Sequence, residues 1–178
     1  SGTISWTSIS SASGNGATSI NELSDALVED GSIYVGTTPS STDDALTNTS
    51  LGLNALASIT TGDDNTALGH NSLEDNTTGG SNVAVGENAL ANSTTGFGNV
   101  GIGREAGKDM STGSNNVIIG NNAEPSIATA TNQIVIGASA VGAGDNTIQL
   151  GNTSITNVKT SGTITAGAIT IPKTDGSA

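Results

Sequence analysis

The sequence lacks cysteine and carries few aromatic side chains. One Trp, one Tyr and one Phe make up 2% of its 178 residues. That is too few for the core of a broad globular domain, because aromatic rings usually supply much of the buried area. Without cysteine the chain has neither disulfide bonds nor thiolate metal sites. Charged residues account for 11%, against roughly 25% in a typical soluble domain, so the polar surface must come from Ser, Thr, Asn and Gly.

The scarcity of positive charge disfavours several classes of partner. The chain has four Lys and Arg residues against 16 Asp and Glu residues, and its net charge is −12. Nucleic-acid binding is disfavoured because nothing replaces the counterions around the phosphates, and anionic membrane surfaces are disfavoured for the same reason. No apolar run approaches the length of a membrane-spanning helix. We therefore expect no nucleic-acid partner and no membrane insertion.

The most specific feature of the sequence is a repeat of 17 residues. Its first phrase is Asn, any residue, a small residue, an aliphatic residue and Gly, at residues 48–52, 65–69, 82–86, 99–103 and 116–120. Looser copies occupy residues 32–36, 132–137 and 146–151. An Asn-x-Leu phrase and a turn phrase, Thr-Thr-Gly or Ser-Thr-Gly, keep the same period. Three phrases in register over several copies predict a repeat architecture.

One repeat has the composition of a single coil of a solenoid. The first phrase alternates over five positions and ends at Gly, which predicts a short strand, and the turn phrase ends in the residue that turns favour. Seventeen residues are too few for two strands joined by a crossover helix. The sequence therefore predicts an all-β fold, a parallel β-solenoid of about 17-residue coils that rise about 4.8 Å each along the axis.

The two faces of the predicted strand carry side chains of different size. In residues 83–85 the two valines point one way and Ala84 points the other, and residues 66–68 and 100–102 alternate similarly. Neither face is charged, whereas a strand with one face in water normally shows polar residues there. We expect the larger face to fill the core of the coil. We expect the small face to pack against an identical chain around a fibre axis.

Two sets of repeated residues are predicted to form structural ladders along the stack. The amide of each leading Asn is expected to bond to turn backbone and to the next Asn, and each Gly marks a corner that needs an unusual backbone angle or a close approach. The members are Asn48, Asn65, Asn82, Asn99 and Asn116, and Gly52, Gly69, Gly86, Gly103, Gly120 and Gly137. Their repetition favours an architectural role.

The ends of the chain depart from the repeat. Residues 1–31 are predicted to be an N-terminal strand and cap segment, in which residues 20–27 form a short helix or a capping loop. Residues 32–151 are predicted to be the solenoid. Residues 152–178, where Ile and Val are spread among Thr, Ser and Gly, are predicted to be a thin β stem and linker.

The sequence offers little material for catalysis or metal binding. His70 is the only histidine, so no zinc site is expected within one chain, and a ring of three His70 residues in a trimer is the alternative. The acidic pairs at residues 43–44, 63–64 and 74–75 lie near turns without an aromatic sugar platform. The turn acids suit Ca²⁺, but the nonapeptide calcium repeat is absent. We therefore expect no enzyme activity, no catalytic or metal site and no cofactor.

The repeats resemble those of bacteriophage and virus tail-fibre proteins and of long surface proteins of aquatic bacteria, which often end in an endosialidase-type chaperone. Residues 82–90, Asn-Val-Ala-Val-Gly-Glu-Asn-Ala-Leu, are similar to the head repeats of trimeric autotransporter adhesins, which are left-handed parallel β-rolls wound as trimers with a somewhat shorter repeat. The resemblance implies a homotrimer on a virion or bacterial surface, outside the cell.

The function implied is that of a structural module of an extracellular trimeric fibre, a tail fibre or an adhesin. Such a module presents or contacts host-surface receptors, including glycans, and its main partner is itself. The alternatives are a passive spacer shaft with no ligand, an ice-binding solenoid suggested by the Thr-Thr-Gly turns, and a polysaccharide depolymerase. A stable monomer at sedimentation equilibrium is the result that counts against the fibre.

Overall fold

The computed structural model describes residues 26–29, 31–36, 39, 45–155, 157 and 159. This part of the chain contains nine strands and no helix, and the strands form one sheet in chain order. The strands are Ala26–Glu29 (β1), Ser32–Gly36 (β2), Thr49–Gly52 (β3), Thr66–Leu68 (β4), Val83–Val85 (β5), Val100–Ile102 (β6), Val117–Ile119 (β7), Ile134–Ile136 (β8) and Ile148–Leu150 (β9).

The strands from β2 to β9 are parallel, and each pairs with the equivalent strand of the next coil. The register aligns Ala67 with Ala84, and Val85 with Ile102, at the spacing of the sequence repeat. Each repeat adds one parallel strand next to the strand of the previous repeat, so the predicted parallel β-solenoid is confirmed. Strands of three to five residues suffice because each coil bonds to the coils above and below it.

The N-terminal end of the sheet is closed by an antiparallel hairpin. β1 pairs with β2, and Gly31 with φ 77° stands in the turn between them. The helix considered for residues 20–27 is therefore wrong at positions 26 and 27, which belong to β1. The part of the predicted strand and cap segment before residue 26, and the predicted stem beyond residue 159, lie outside the described residues.

The prediction that the larger face of each strand fills the core is wrong, because the middle residue of the strand points inward, and in β3 to β6 that residue is the small one. Ala67 and Ala84 are buried, whereas Leu68 is 44% exposed. The opposite wall of the coil supplies the large side chains that fill the core, since Leu73 and Leu90 are fully buried there.

The width of the coil explains this arrangement. A Cβ added to Gly101, the inward residue of β6, would lie 2.6 Å from Cγ of Leu90. The interior beside the strand therefore has room for a hydrogen atom or a methyl group in these coils, and the larger side chains must point outward.

A carboxylate occupies, in a later coil, the position that buried leucines hold in the earlier coils. Glu124 follows Gly120 by four residues, as Leu90 follows Gly86. Gly107 holds the same position in the coil between them, where an added Cβ would lie 2.7 Å from Cδ2 of Leu90. Oε2 of Glu124 accepts a hydrogen bond from the backbone N–H of Asp109 at 3.3 Å. Burial raises the pKa of Glu124 from 4.5 to about 7, and the backbone hydrogen bond from Asp109 opposes that rise.

This pKa predicts that the protein loses stability as the pH rises from 4.5 to about 7. The folded state binds a proton at Glu124 up to about pH 7, whereas the unfolded chain releases it near 4.5. The protonated group therefore contributes stability that is fully present below pH 4.5 and is lost by pH 7. Because the side chain is half-buried and partly screened, we expect a loss of only about 1–2 kcal/mol.

Urea unfolding at pH 5 and pH 8 measures this contribution. Glu124→Gln is expected to reduce the difference between the two pH values, because it removes the titrating group. Glu87→Gln is the matched control, since Glu87 is exposed, and it should keep the wild-type difference. Equal pH dependence in the wild type and the Glu124→Gln variant would contradict the assignment.

Candidate functional site

The outward side of β2–β9, which we call the outer face, is a continuous surface along the solenoid. It consists of two columns of side chains, one from the first outward position of each strand and one from the second. The first column is Ile33, Thr49, Thr66, Val83, Val100, Val117, Ile134 and Ile148, and the second is Val35, Leu51, Leu68, Val85, Ile102, Ile119, Ile136 and Leu150.

The outer face is apolar and open to solvent. None of its side chains is charged, and its only polar members are two threonines. Leu51 is 51% exposed, Ile136 is 39% exposed and Ile148 is 65% exposed. Such contiguous apolar patches on soluble proteins usually mark surfaces that bind another molecule.

The dimensions of the outer face match those of a protein interface. Eight parallel strands at about 4.8 Å spacing make it about 34 Å long, and with the residues that flank each strand it is about 20 Å wide. The product is about 700 Å², close to the roughly 800 Å² that each partner buries in a standard stable interface.

The predicted asparagine ladder lies inside the coil, at one corner of the core. Asn48, Asn65, Asn82, Asn99 and Asn116 are all buried. The Nδ2 atom of Asn82 donates to the carbonyl of Gly96 at 2.9 Å and to Oδ1 of Asn65 at 3.1 Å, and its Oδ1 accepts from the backbone N–H of Asn99 at 2.9 Å. Gln133 continues the column, since its N–H donates to Oδ1 of Asn116.

These bonds satisfy polar groups that the narrow coil removes from water. Each ladder amide donates to the carbonyl that closes the turn of its own coil and accepts from a backbone N–H of the next coil. Because the column is buried, it offers no surface to a ligand, and it joins successive coils instead.

The glycine ladder is the line of closest approach between coils. Gly52, Gly69, Gly86, Gly103, Gly120 and Gly137 all have φ between 128° and 148°. A Cβ added to Gly86 would lie 2.5 Å from the carbonyl oxygen of Gly103, and the four other glycines from Gly52 to Gly120 meet the next coil in the same way. Both the angle and the contact exclude a side chain here.

The candidate chemical residues do not converge. His70 is exposed at the corner after β4, and Asp63 and Asp64 are exposed at the corner before it. Oδ1 of Asp63 accepts from the N–H of Leu46 at 2.8 Å, and Oδ1 of Asp64 accepts from the hydroxyl of Thr47. Within the described ranges, no three His, Asp or Glu side chains are placed to share a metal ion. The acidic pair at residues 43–44 lies outside those ranges.

The orientation of the outer face was the functional feature that sequence reasoning missed. Its signal was the run of Ala67, Ala84 and Gly101 at one strand position, which indicates the crowded side of a narrow coil. The interaction of Arg104 with Glu105 at 2.7 Å and with Asn122 at 3.0 Å was also missed. No sequence phrase marks it.

Comparisons with protein-family models, with curated proteins and with solved structures gave no match. In the described part of the chain, no helix has the length and apolar character needed to cross a bilayer.

Proposed function

We propose that this chain is a structural module of an extracellular trimeric fibre, in which three copies bury their outer faces against one another around the fibre axis. The module holds the other parts of the fibre away from the particle and presents or contacts host-surface receptors. The observation that carries the proposal is the exposed, uncharged outer face along eight parallel strands.

Self-association is the simplest way to cover this face. Burying aliphatic side chains such as Leu51, Leu68 and Ile102, which are 39–51% exposed in the single chain, stabilises an assembly by about 25 cal/mol per Å² of apolar surface. A second copy offers an apolar surface of the same length, with the same spacing between strands. The net charge of −12 per chain keeps the remaining surface soluble.

The number three and the extracellular setting come from the resemblance of the repeats. The phrase at residues 82–90 is similar to that of trimeric autotransporter heads, and the whole repeat resembles that of tail fibres. Receptor contact by such a module is multivalent, since three chains repeat each exposed corner in every coil. Sites that are weak alone therefore act together.

The test is a double substitution in the middle of the outer face, Leu68→Glu with Ile102→Glu. We expect sedimentation equilibrium to give the mass of three chains for the wild type and of one chain for the variant, because each trimer would bury six uncompensated carboxylates. Circular dichroism should show that the β structure is retained, since both side chains point away from the core.

Ile127→Glu is the matched control for this test. Ile127 is 56% exposed but lies outside the outer face, so its variant should remain a trimer. A wild-type monomer, a wild-type dimer or a double variant that stays trimeric would contradict the proposal. A trimer that is not retained on host cells would be a passive spacer.

A further inference from the structure

The two long edges of the outer face carry different side chains. We define the upstream edge as Leu46, Asp63, Gly80, Phe97 and Ser114, which precede β3 to β7, and the downstream edge as Leu53, His70, Glu87, Arg104 and Asn121, which follow the same strands. One rung is a strand with its two edge residues. Apart from Gly80 and Ser114, which are half-buried, all these residues are exposed.

The β4 rung has an acid at one edge and a base at the other. Asp63 and the adjacent Asp64 lie upstream, and His70 lies downstream. The only ion pair in the described part of the chain joins Arg104 to Glu105, so His70 and the two carboxylates make no ion pair there. A histidine and a carboxylate attract each other when the histidine carries its proton.

The β6 rung joins an aromatic ring with a guanidinium group. Phe97 lies upstream and is 56% exposed, the only phenylalanine in the chain. Arg104 lies downstream, and its guanidinium group is held by Glu105 at 2.7 Å and by Asn122 at 3.0 Å. A guanidinium group held in this way presents a planar face on which an aromatic ring stacks.

The β3 rung is aliphatic at both edges. Leu46 is 45% exposed and Leu53 is 61% exposed. Three rungs thus have complementary edges of three kinds: aliphatic with aliphatic, acid with base, and aromatic with guanidinium. A shift by one rung would place Leu53 against Asp63, or His70 against Leu46, and would lose all three matches.

The matched residues cannot meet within one chain. The two edges of a rung are separated by a strand and its flanking residues, about 20 Å across the outer face. In a closed ring of parallel copies around an axis along the stack, the downstream edge of one copy lies beside the upstream edge of the next copy. Each rung then faces the same rung of its neighbour.

We propose that the occupant of the outer face is a second copy of this chain, parallel and in register, and that the paired edges select the register. His70 lies against Asp63 of the next copy, Arg104 stacks on Phe97, and Leu53 packs against Leu46. The edges supply specificity, because the uniform apolar columns permit slippage by whole rungs. The inference rests on the self-association in the proposed function but not on the number three.

Cysteine cross-linking tests this register, because the chain has no cysteine of its own. The in-register variant is Asp63→Cys with His70→Cys, and the offset variant is Asp63→Cys with Arg104→Cys, whose residues lie two rungs apart, about 10 Å along the stack. Under mild oxidation the in-register variant is expected to form covalent oligomers at least tenfold faster than the offset variant. A disulfide needs Cα atoms within about 7 Å.

The other outcomes separate this inference from the proposed function. Equal cross-linking rates in the two double variants, or no cross-linking in a stable trimer, overturn the register and leave the trimer standing. Rapid cross-linking of a His70→Cys single variant shows antiparallel copies and also overturns the register. Closed covalent dimers support the paired edges and contradict the trimer. A monomeric wild type overturns both the register and the proposed trimer.

Discussion

Replacing Asn82 with Ala is expected to lower the free energy of unfolding by about 3–5 kcal/mol, because the substitution leaves two buried backbone groups without partners. The carbonyl of Gly96 loses its donor, and the N–H of Asn99 loses its acceptor. Asn82 is fully buried, so water cannot replace these bonds without opening the coil. Urea or thermal unfolding followed by circular dichroism measures the loss.

Asn88→Gly is the matched control for this prediction. Asn88 belongs to a second asparagine column, in which its Oδ1 accepts from Nδ2 of Asn71 at 3.0 Å, but it is only part-buried. Gly tolerates its φ of 56°, so the variant should lose about 0.5–1 kcal/mol, the worth of a single ordinary hydrogen bond. Similar losses in the two variants would show that the buried ladder has no special role.

The sequence was sufficient for the features that depend on local pattern. The 17-residue period determines which strands pair, because a parallel ladder of short strands places equal positions side by side. Alternation within residues 83–85 correctly separated the side chains into two faces. The positive φ of Gly86 follows from the same reasoning, since a corner repeated at each coil imposes one backbone angle on every copy.

The sequence did not reveal which of the two faces lies inside. That outcome depends on the distance between the strand and the opposite wall, which Leu73 and Leu90 determine from a different part of the repeat. Their backbone has φ of 51°, an uncommon value for leucine, and it turns both side chains into the coil. Periodicity does not report this distance, so size alone wrongly placed the larger side chains inside.

The candidate site follows from this corrected orientation. Self-association was predicted from the sequence, but through the small residues, whereas the exposed surface consists of aliphatic side chains. The edge pairs were inaccessible to pattern reasoning, because Asp63 and His70 belong to different phrases and share a rung only once the strand is placed between them. Glu124 was missed as well, although it stands where the Asn-x-Leu phrase places Leu73 and Leu90.

Replacing Gly86 with Ala is expected to destabilise the protein by more than about 4 kcal/mol or to prevent folding, because strain and steric overlap act together. Its φ is 132°, and the new methyl carbon would lie 2.5 Å from the carbonyl oxygen of Gly103. The coils must then separate along the ladder, which breaks hydrogen bonds on both sides. Gly144→Ala isolates the strain, since Gly144 has φ of 124° with nothing within 4 Å, and it should lose about 1–3 kcal/mol. Thermal unfolding of the two variants measures the difference in stability. Equal losses would mean that the close approach between coils adds nothing to the requirement for glycine at position 86.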